Sequence, residues 1–409
     1  MNIVLEPGAA ALLDELHRAG FGAYAVGGCV RDSLLGLAPH DWDLCTAARP
    51  GQVMELFGED RCIPTGLQHG TVTVKRDGKL YEITTFRTEG RYSDGRHPDS
   101  VAFVPDLRED LARRDFTINA MAYSAEEGLC DPFGGREDLA RGMVRAVGEP
   151  LRRFGEDALR ILRLYRFAAR FGFAIDEATE AAAKQLASHL DCVSAERIEE
   201  ELNKLLAAPQ PGAYLEPEVL AFVLPELPPE ELTKARRRID ALPAGTEQVS
   251  ARWAALLLPL GETGARKALK RLKCSNARID GAAALVRECG EKTPDTLDKC
   301  DLCLQAKRLL GKYDLHTVRQ LAALWTALAP EEKASFDALR AEAEALTAQG
   351  ICCRISQLAV NGRDLMAAGA APGPGLRRVL EALLEEVITG RLPNEKTELL
   401  AFAAGFSAS

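Results

Sequence analysis

The sequence predicts an α+β fold, with a small mixed β-sheet in an N-terminal head and only helices in the domains that follow. Residues 21–149 alternate short β-like runs with glycine turns. From about residue 150, apolar residues recur at three- and four-residue spacing in segments rich in Leu, Ala, Glu, Lys and Arg, which is typical of amphipathic helices. A chain of 409 residues is long enough for about two to four domains.

The head is predicted to begin with an amphipathic helix near residues 8–19 that ends at Gly20. Short strands are predicted at 21–26, 70–74 and 80–86. The first strand leads into Gly27-Gly28 and then into a short helix that ends at Gly36. Glycines at this position let backbone N–H groups approach a phosphate, and the helix N-terminus favours the anion.

Interruptions of the helical pattern divide the rest of the chain. The segments 209–212, 291–298 and 371–375 are rich in Pro, Gly or polar residues. We therefore predict four domains: an α/β head at 1–149, a helical neck at 150–210, a helical body at 211–290 and a helical tail at 291–409.

Charge and composition limit the partners and the compartment. Lys and Arg total 51 against 60 Asp and Glu, so the net charge of -9 argues against a non-specific DNA binder but permits an RNA enzyme with a local basic surface. The N-terminus lacks a signal peptide, and no apolar run approaches the roughly 20 residues of a membrane span. Together with 11 scattered cysteines, these features predict a cytoplasmic protein with no membrane contact.

The cysteines are predicted to be free thiols. A four-sulfur zinc site built from Cys300-x-x-Cys303 and Cys352-Cys353 is the alternative. Because only one of these pairs has the spacing of metal ligands, the zinc signal is weak.

The main chemical signal is Asp41-Trp42-Asp43-Leu44. In a strand, Asp41 and Asp43 would share one face while Trp42 and Leu44 enter the core. Adjacent carboxylates repel one another unless a cation lies between them, and Mg²⁺ with substrate phosphates suits this arrangement. Such a metal pair can activate an attacking hydroxyl and stabilise a leaving pyrophosphate. Glu82 is either a third carboxylate of this site or a solvated strand residue.

A lone Asp-x-Asp is common on solvated turns, but the segment at 27–36 makes the signal more specific. It reads Gly-Gly-Cys-Val-Arg-Asp-Ser-Leu-Leu-Gly, and its Arg31 lies one short turn beyond the glycines. Arg31 is therefore a candidate partner for a triphosphate.

Residues 154–171 are predicted to form one amphipathic helix with an apolar stripe and an arginine-rich opposite side. Asp157 beside Arg160 complements the amino donor and the ring-nitrogen acceptor that cytosine and adenine share. Uracil and guanine present the opposite polarity and would leave buried groups unpaired. If a nucleotide lies here, the protein selects C and A without a template. The remaining arginines on this side are Arg163, Arg166 and Arg170.

The chain resembles the bacterial class II tRNA nucleotidyltransferases, the CCA-adding enzymes of the polymerase-β superfamily, over essentially its whole length. Five ordered motifs carry the resemblance. They are Gly27-Gly28-x-Val30-Arg31-Asp32 with Asp41-x-Asp43, RRDFTINA at 113–120, DPFGG at 131–135, Glu156-Asp157-x-x-Arg160 and Glu196-Arg197-Ile198.

The resemblance implies an activity and a role for each motif. The activity is template-independent addition of CCA to the tRNA 3′ end from CTP and ATP, by two-metal attack of the 3′-hydroxyl on the α-phosphate. Asp41 and Asp43 would bind Mg²⁺. The implied nucleotide-binding residues are Gly28, Arg31 and Arg114, with Asp115 near the ribose, Asp157 and Arg160 reading the base, and Arg163 and Arg166 completing the pocket. Purely structural roles are the alternative for three residues of the second motif. Arg113 and Asp115 could form a local ion pair, and Asn119 could make a hydrogen bond within a helix.

Two further segments match the family. Residues 88–103 resemble the flexible loop of the enzymes that add the terminal A, which is shortened in relatives that add only CC. The segments 360–365 and 390–394 resemble the tail that holds the tRNA elbow. The resemblance thus implies a nucleotidyltransferase catalytic head at 1–149, a nucleotide-recognition neck at 150–210 and a tRNA-binding tail at 291–409. A basic cluster at 266–273 is either a phosphate contact or a solvated helix face.

Other functions remain as alternatives. An A-adding tRNA nucleotidyltransferase and a bacterial poly(A) polymerase share these motifs, although TGLQHGT at 65–71 looks like the tRNA-enzyme version. A non-catalytic RNA-binding protein on the same scaffold would be expected to lack Asp41 or Asp43, and both are present. No protein partner is implied.

Overall fold

The computed structural model describes residues 3–90, 101–291 and 302–406. It divides into two compact units, Met1–Pro225 and Glu226–Ser409. The predicted α+β class is confirmed, because the first unit holds a mixed sheet and the described elements of the second are helical. Cys300, most of the loop predicted at 88–103 and most of the polar segment at 291–298 lie outside the described residues. The division into four domains stays a prediction.

The head is built on a seven-stranded sheet. Its strands are β1 Ala23–Val26, β2 Leu44–Thr46, β3 Cys62–Gly66, β4 Thr71–Arg76, β5 Lys79–Thr85, β8 Ala122–Ser124 and β9 Gly128–Cys130. Two further sheets have two strands each: β6 Arg87–Glu89 pairs with β7 Val101–Phe103, and β10 Met143–Val144 pairs with β11 Ala174–Ile175. The order in the seven-stranded sheet is β3-β4-β5-β2-β1-β8-β9. Only the β2–β5 pair of this sheet is parallel, so the sheet is mixed as predicted.

Ten helices complete the described part of the first unit. They are α1 Pro7–Arg18, α2 Gly28–Leu34, α3 Pro50–Phe57, α4 Leu107–Ala112, α5 Gly135–Arg141, α6 Pro150–Glu156, α7 Leu159–Phe171, α8 Glu177–Gln185, α9 Ala195–Leu206 and α10 Pro217–Val223. Helix α1 confirms the predicted first helix: Glu6 caps its N-terminus by accepting from Ala9 N at 3.1 Å, and Gly20 follows its end with φ +84°.

The prediction of a single helix at 154–171 is wrong at its start. The chain leaves helical geometry at Asp157, whose φ and ψ are -146° and 106°. Its Oδ1 atom accepts a hydrogen bond from Leu159 N at 3.0 Å, so the side chain satisfies a backbone donor at the start of α7. The predicted apolar stripe is buried on both sides of the break. Its members are Phe154, Ala158, Ile161, Leu162, Tyr165 and Ala168.

The second unit is helical throughout its described elements. They are α11 Leu232–Asp240, α12 Val249–Leu257, α13 Gly261–Arg271, α14 Asn276–Glu291, α15 Leu302–Lys312, α16 Leu315–Leu328, α17 Lys333–Ala348, α18 Gly362–Ala367, α19 Pro374–Ile388 and α20 Lys396–Phe406. Across the described residues, no helix combines the length and apolarity that crossing a membrane requires.

The tail motifs have a structural role within the second unit. Asn361 caps α18 and forms a reciprocal capping box with Asp364. Asn394 donates to Gln357 O at 3.0 Å and accepts from Ala359 N at 2.8 Å, so it joins two loops. Asn394 thus holds the loop that precedes Asn361 and α18.

Close packing at Gly135 gives a test of the head fold. A Cβ atom at this position would lie 2.2 Å from Thr117 O and 3.0 Å from Met121 Cγ, so Gly135→Ala forces the backbone apart. We expect this variant to lose about 2 kcal/mol of unfolding free energy in urea titration. Gly51→Ala is the control, because Gly51 lies within α3 with open space around it and alanine favours helix there. Equal stability of the two variants would contradict this packing.

Candidate active site

A cavity of about 610 Å³ opens in the first unit among the head sheet, α2 and α7. Nine arginines but only three aspartates contribute to its lining, so its positive potential favours an anionic ligand. The lining residues are Gly27, Gly28, Arg31, Asp43, His69, Arg87, Arg113, Arg114, Asp115, Asn119, Asp157, Leu159, Arg160, Arg163, Arg166, Phe167, Arg170 and Arg197.

The Gly27-Gly28 turn connects β1 to α2 at one wall of the cavity. Gly27 has φ +76°, which favours glycine, and a Cβ atom there would lie 3.0 Å from Arg114 Nη1. Gly28 then opens α2, as predicted from the sequence. The backbone of this turn can therefore approach a bound group without side-chain obstruction.

Arg31 lies on α2 and is 4% exposed. Its Nε atom donates to Asp32 Oδ1 at 2.8 Å, and its Nη1 atom donates to Asn119 Oδ1. The other oxygen of Asp32 accepts from Arg170 Nη2 at 3.1 Å, so one carboxylate joins α2 to α7. Burial lowers the pKa of Arg31 and the Asp32 charge opposes that effect.

The candidate metal-binding carboxylates lie at the edge of the cavity. Strand β2 begins only at Leu44, so the prediction that Asp41 and Asp43 share the face of a strand is wrong. Asp43 continues the sheet through its carbonyl, which accepts from Val26 N at 3.0 Å, and it lines the cavity. Asp41 is exposed and does not line it; its Oδ2 atom lies 3.0 Å from His40 Nδ1.

Asp41 and Glu82 nevertheless lie close enough to Asp43 to affect its ionisation. Loss of hydration and the charges of Glu82 and Asp41 raise the pKa of Asp43, while Arg114 lowers it. Glu82 lies in β5, and its neighbour Ile83 is the register partner of Leu44 in β2. Asp41, Asp43 and Glu82 are thus candidate oxygen donors for one cation, although the described residues form no preassembled cluster of metal ligands.

The segment after α4 supplies two further arginines. Asp110 is fully buried, and its Oδ1 and Oδ2 atoms accept from Arg113 at 2.8 Å and Arg114 at 3.2 Å. Burial raises the pKa of Asp110, but these two guanidiniums outweigh it and hold the pKa below its usual value. Asp110 therefore fixes both arginines at the cavity wall.

Asp115 is bound across the cavity by α7. Its Oδ2 atom accepts from Arg163 Nη2 at 2.6 Å and Nε at 2.8 Å, while its Oδ1 atom accepts from Asn119 Nδ2 at 3.0 Å and Phe116 N at 2.8 Å. Burial opposes ionisation, but Arg163 and these hydrogen bonds lower the pKa of Asp115 well below its usual value. The ionic partner of Asp115 is thus Arg163, and Arg113 pairs with Asp110.

Asp157 and Arg160 flank the break between α6 and α7. Asp157 Oδ2 accepts from Arg197 Nη2 at 2.7 Å. Arg160 is 8% exposed and donates to Glu156 Oε2 at 2.7 Å and Arg113 O at 3.2 Å. Both side chains are held in place by the protein before any ligand binds.

Glu201, from α9, holds the last two predicted arginines. Its Oε2 atom lies 2.7 Å from Arg166 Nε, and its Oε1 atom lies 3.9 Å from Arg163 Nη1. Burial lowers the pKa of Arg166 to about 10, which leaves it charged at neutral pH. Burial also acts on Arg163, but Asp115 and Glu201 outweigh it and raise the pKa.

Known families and proteins match the chain over most of its length. Residues 23–145 match the Poly A polymerase head domain, 172–228 the probable RNA and SrmB-binding site of polymerase A, and 245–403 the putative tRNA nucleotidyltransferase domain 2. A CCA-adding enzyme of Limosilactobacillus fermentum is 38% identical over 96% of this chain and 95% of that protein. The CCA-adding enzyme of Geobacillus stearothermophilus is 37% identical over 96% and 95%.

The chain belongs to the CCA-adding enzyme family. The crystal structure of the Bacillus stearothermophilus CCA-adding enzyme in complex with CTP superposes with a TM-score of 0.81 at 34% identity, covering 99% of this chain and 98% of that one. A Thermotoga maritima CCA-adding enzyme complexed with tRNA shares the fold, with a TM-score of 0.69 at 22% identity.

Nucleotidyltransferases of the CCA-adding enzyme family generally use a divalent metal. The residues present fit such an ion, because Asp41, Asp43 and Glu82 offer carboxylate oxygens, the donors that hard divalent cations prefer. Burial raises the pKa of Asp43 most, and the charges of Glu82 and Asp41 raise it further; a bound cation would relieve the repulsion among these carboxylates.

Every predicted nucleotide-binding residue lines one cavity, whereas of the two predicted catalytic residues only Asp43 does. Sequence reasoning missed Phe167 and the carboxylates that hold the arginines, Asp110 and Glu201. Glu201 lies within the same helix as the quoted Glu196-Arg197-Ile198 motif, which is the one signal that could have identified it. Asp110 precedes Arg113 and Arg114 by three and four residues, a helix-type spacing for ion pairs.

The Asp115–Arg163 ion pair predicts a pH-dependent stability. Because the pKa of Asp115 is lowered in the folded protein, its charge stabilises the fold at neutral pH. This contribution declines below about pH 4, where the unfolded carboxylate takes up its proton. We expect Asp115→Asn to lower the unfolding free energy at pH 7 by about 3 kcal/mol.

The difference between Asp115→Asn and the unmodified protein should shrink as urea titrations are repeated from pH 7 down to about pH 3. Glu55→Gln, an exposed carboxylate on α3, is the control and should change stability by less than about 0.5 kcal/mol. A loss that is the same at every pH would show that the charge of Asp115 is not its cause.

Proposed function

We propose that this chain adds CCA to the 3′ end of tRNA, using CTP and ATP without a nucleic-acid template. The observation that carries the proposal is the single cavity with nine arginines in its lining and Asp43 beside them. A triphosphate is the polyanion that such a site fits, and a carboxylate at its edge suits catalysis by a metal ion. The relative with 34% identity was solved with CTP, which supports the choice of ligand.

In this proposal Asp41 and Asp43 hold Mg²⁺, and Glu82 is the candidate third ligand. The metal, when bound, supplies Lewis-acid stabilisation of the reacting phosphate and the attacking hydroxyl. Gly28 and Arg31 contact the triphosphate, and Arg114 holds the nucleotide beside Asp43. The arginines of α7 neutralise the phosphate charge, so the pyrophosphate leaves from a site with positive potential.

Asp157 and Arg160 are proposed to read the base. Each oxygen of Asp157 accepts one described hydrogen bond, from Leu159 N and from Arg197, and each has a second lone pair that can accept from the amino group of C or A. Arg160 can donate to the adjacent ring nitrogen. Because Arg197 and Glu156 fix these two groups, they cannot turn away to accommodate U or G, and the mismatch leaves polar atoms unpaired.

The rest of the chain is proposed to hold tRNA. On α13, Lys267 and Lys270 are exposed and suit contact with the phosphate backbone, while Arg266 and Arg271 pair with acidic residues of the same unit. The described cysteines are free thiols, which fits our proposal of a cytoplasmic site for the reaction.

Primer extension tests the activity. Three tRNA transcripts that end before CCA, after C and after CC are incubated with Mg²⁺ and single nucleotides. We expect two additions of C and then one of A, and no reaction after chelation of the metal. Asp43→Asn should reduce the rate by about 1,000-fold, because the metal contributes several kcal/mol to the barrier. Asp14→Asn, an exposed carboxylate on α1, should leave it unchanged.

Other products would identify other functions. Addition of A only to the CC-ended transcript would make the chain an A-adding specialist. Long A tails on any RNA would favour a poly(A) polymerase. This alternative is consistent with the match to the Poly A polymerase head domain. RNA binding without incorporation would indicate a non-catalytic RNA-binding protein.

Asp157→Ala separates base recognition from catalysis. We expect the variant to retain metal-dependent incorporation but to lose about 10- to 100-fold of its discrimination against UTP and GTP, measured as ratios of kcat/KM. Glu177→Ala, an exposed acid on α8, serves as the control. Unchanged discrimination in Asp157→Ala would contradict the base-reading role.

A further inference from the structure

An aromatic ring lies among the arginines of the cavity. Phe167, on α7, is 4% exposed but contributes to the cavity lining. The guanidinium carbons of Arg166, Arg31 and Arg163 lie 4.1, 5.2 and 5.4 Å from its ring centroid. All three distances are within the range of cation–π attraction. One neutral side chain therefore contacts arginines from both α2 and α7.

Neighbouring rings fix the position of Phe167. Phe171, one turn later on α7, is parallel to it within 3° at a centroid distance of 6.3 Å, and Phe116 packs edge-on at 5.8 Å. Phe171 itself contacts Arg31 and Arg170 at 5.0 and 4.9 Å. Aromatic packing of this kind favours one ring orientation, so the arginines meet a surface of fixed geometry.

The charges around these rings are unbalanced. Four guanidiniums, those of Arg31, Arg163, Arg166 and Arg170, pair with only three carboxylates. These carboxylates are Asp32, Asp115 and Glu201. A fourth carboxylate would neutralise the cluster and compete with an incoming anion, whereas an aromatic ring attracts cations without adding negative charge.

Ring contact and phosphate contact also use different parts of a guanidinium. The ring attracts the planar face, and the N–H donors point outward in the plane of the group. An arginine held face-on by a ring can therefore still offer two parallel hydrogen bonds to a phosphate.

We propose that Phe167 is a positioning residue for the nucleotide. Its ring holds Arg31, Arg163 and Arg166 so that the N–H donors not already bound to carboxylates or Asn119 are directed to the triphosphate. The inference rests on the proposed function, since it takes the anion to be the triphosphate of CTP or ATP. Because both nucleotides carry the same triphosphate, the ring affects both to the same extent.

Fluorinated phenylalanines at position 167 test the proposal. Mono-, di- and trifluorination withdraw electron density from the ring with little change in its size, so they weaken cation–π attraction stepwise while packing is kept. We expect the KM for both CTP and ATP to rise at each step, reaching about ten-fold for the trifluorinated ring, with kcat changed by less than about two-fold. The Kd of each nucleotide without tRNA should rise in parallel.

Phe154 is the matched control, because it is buried on α6 and takes part in no cation–π contact among the described residues. The same fluorinated residues there should leave KM unchanged. Phe167→Leu should raise KM at least as much as the trifluorinated ring. If that variant fails to fold, the fluorinated series alone tests whether the ring positions the arginines.

A KM that stays constant across the fluorinated series at position 167 would overturn the proposal and leave Phe167 a packing residue. A fall in kcat at constant KM would overturn it as well. These results differ from a failure of the proposed function, in which the unmodified protein itself neither binds CTP or ATP nor extends tRNA.

Discussion

The ion pair between buried Asp115 and half-buried Arg163 joins the head to α7, and the geometry of the cavity depends on it. Removing two such charges from water is costly, and the cost is offset only when their remaining hydrogen-bonding atoms are satisfied. Asp115 meets this condition by accepting from Asn119 and from Phe116 N as well. Since Asn119 also accepts from Arg31, the same network extends to α2 and fixes two arginines relative to each other.

The rest of the site follows the same rule, because further arginines of the cavity are each held by a carboxylate that reduces their repulsion of one another. Asp110 holds Arg113 and Arg114, and Glu201 holds Arg166. The cavity retains an excess of positive charge even though the whole chain carries a net charge of -9. A local concentration of cations in a partly enclosed space focuses the electrostatic potential, so the overall charge says little about which ligand binds there.

The fold was largely predictable from the sequence, and the site in part. The spacing of apolar residues along the sequence located the first helix, the three predicted strands and the change to helices near residue 150. It could do so because the buried face of a strand or helix must carry apolar residues at the period of that element. The break at Asp157 was not predictable from periodicity, since the apolar stripe continues through it. The partners of the arginines were also missed. Ion pairs such as Asp115–Arg163 join residues distant in sequence, and only the tertiary fold brings them together.

The break at Asp157 has a consequence for selection without a template. In a continuous helix the carboxylate would project from the side of a cylinder and remain free to change rotamer. In the extended conformation it accepts from Leu159 N at the start of α7 and from Arg197, so its direction is set by the backbone and by α9. Under the proposed function, α7 then carries base recognition at its N-terminus and triphosphate contacts through Arg163 and Arg166. Because a helix rises about 1.5 Å per residue, this arrangement fixes the distance between the base-reading groups and the triphosphate-binding arginines, so only a base that fits Asp157 and Arg160 is placed with its triphosphate among the arginines.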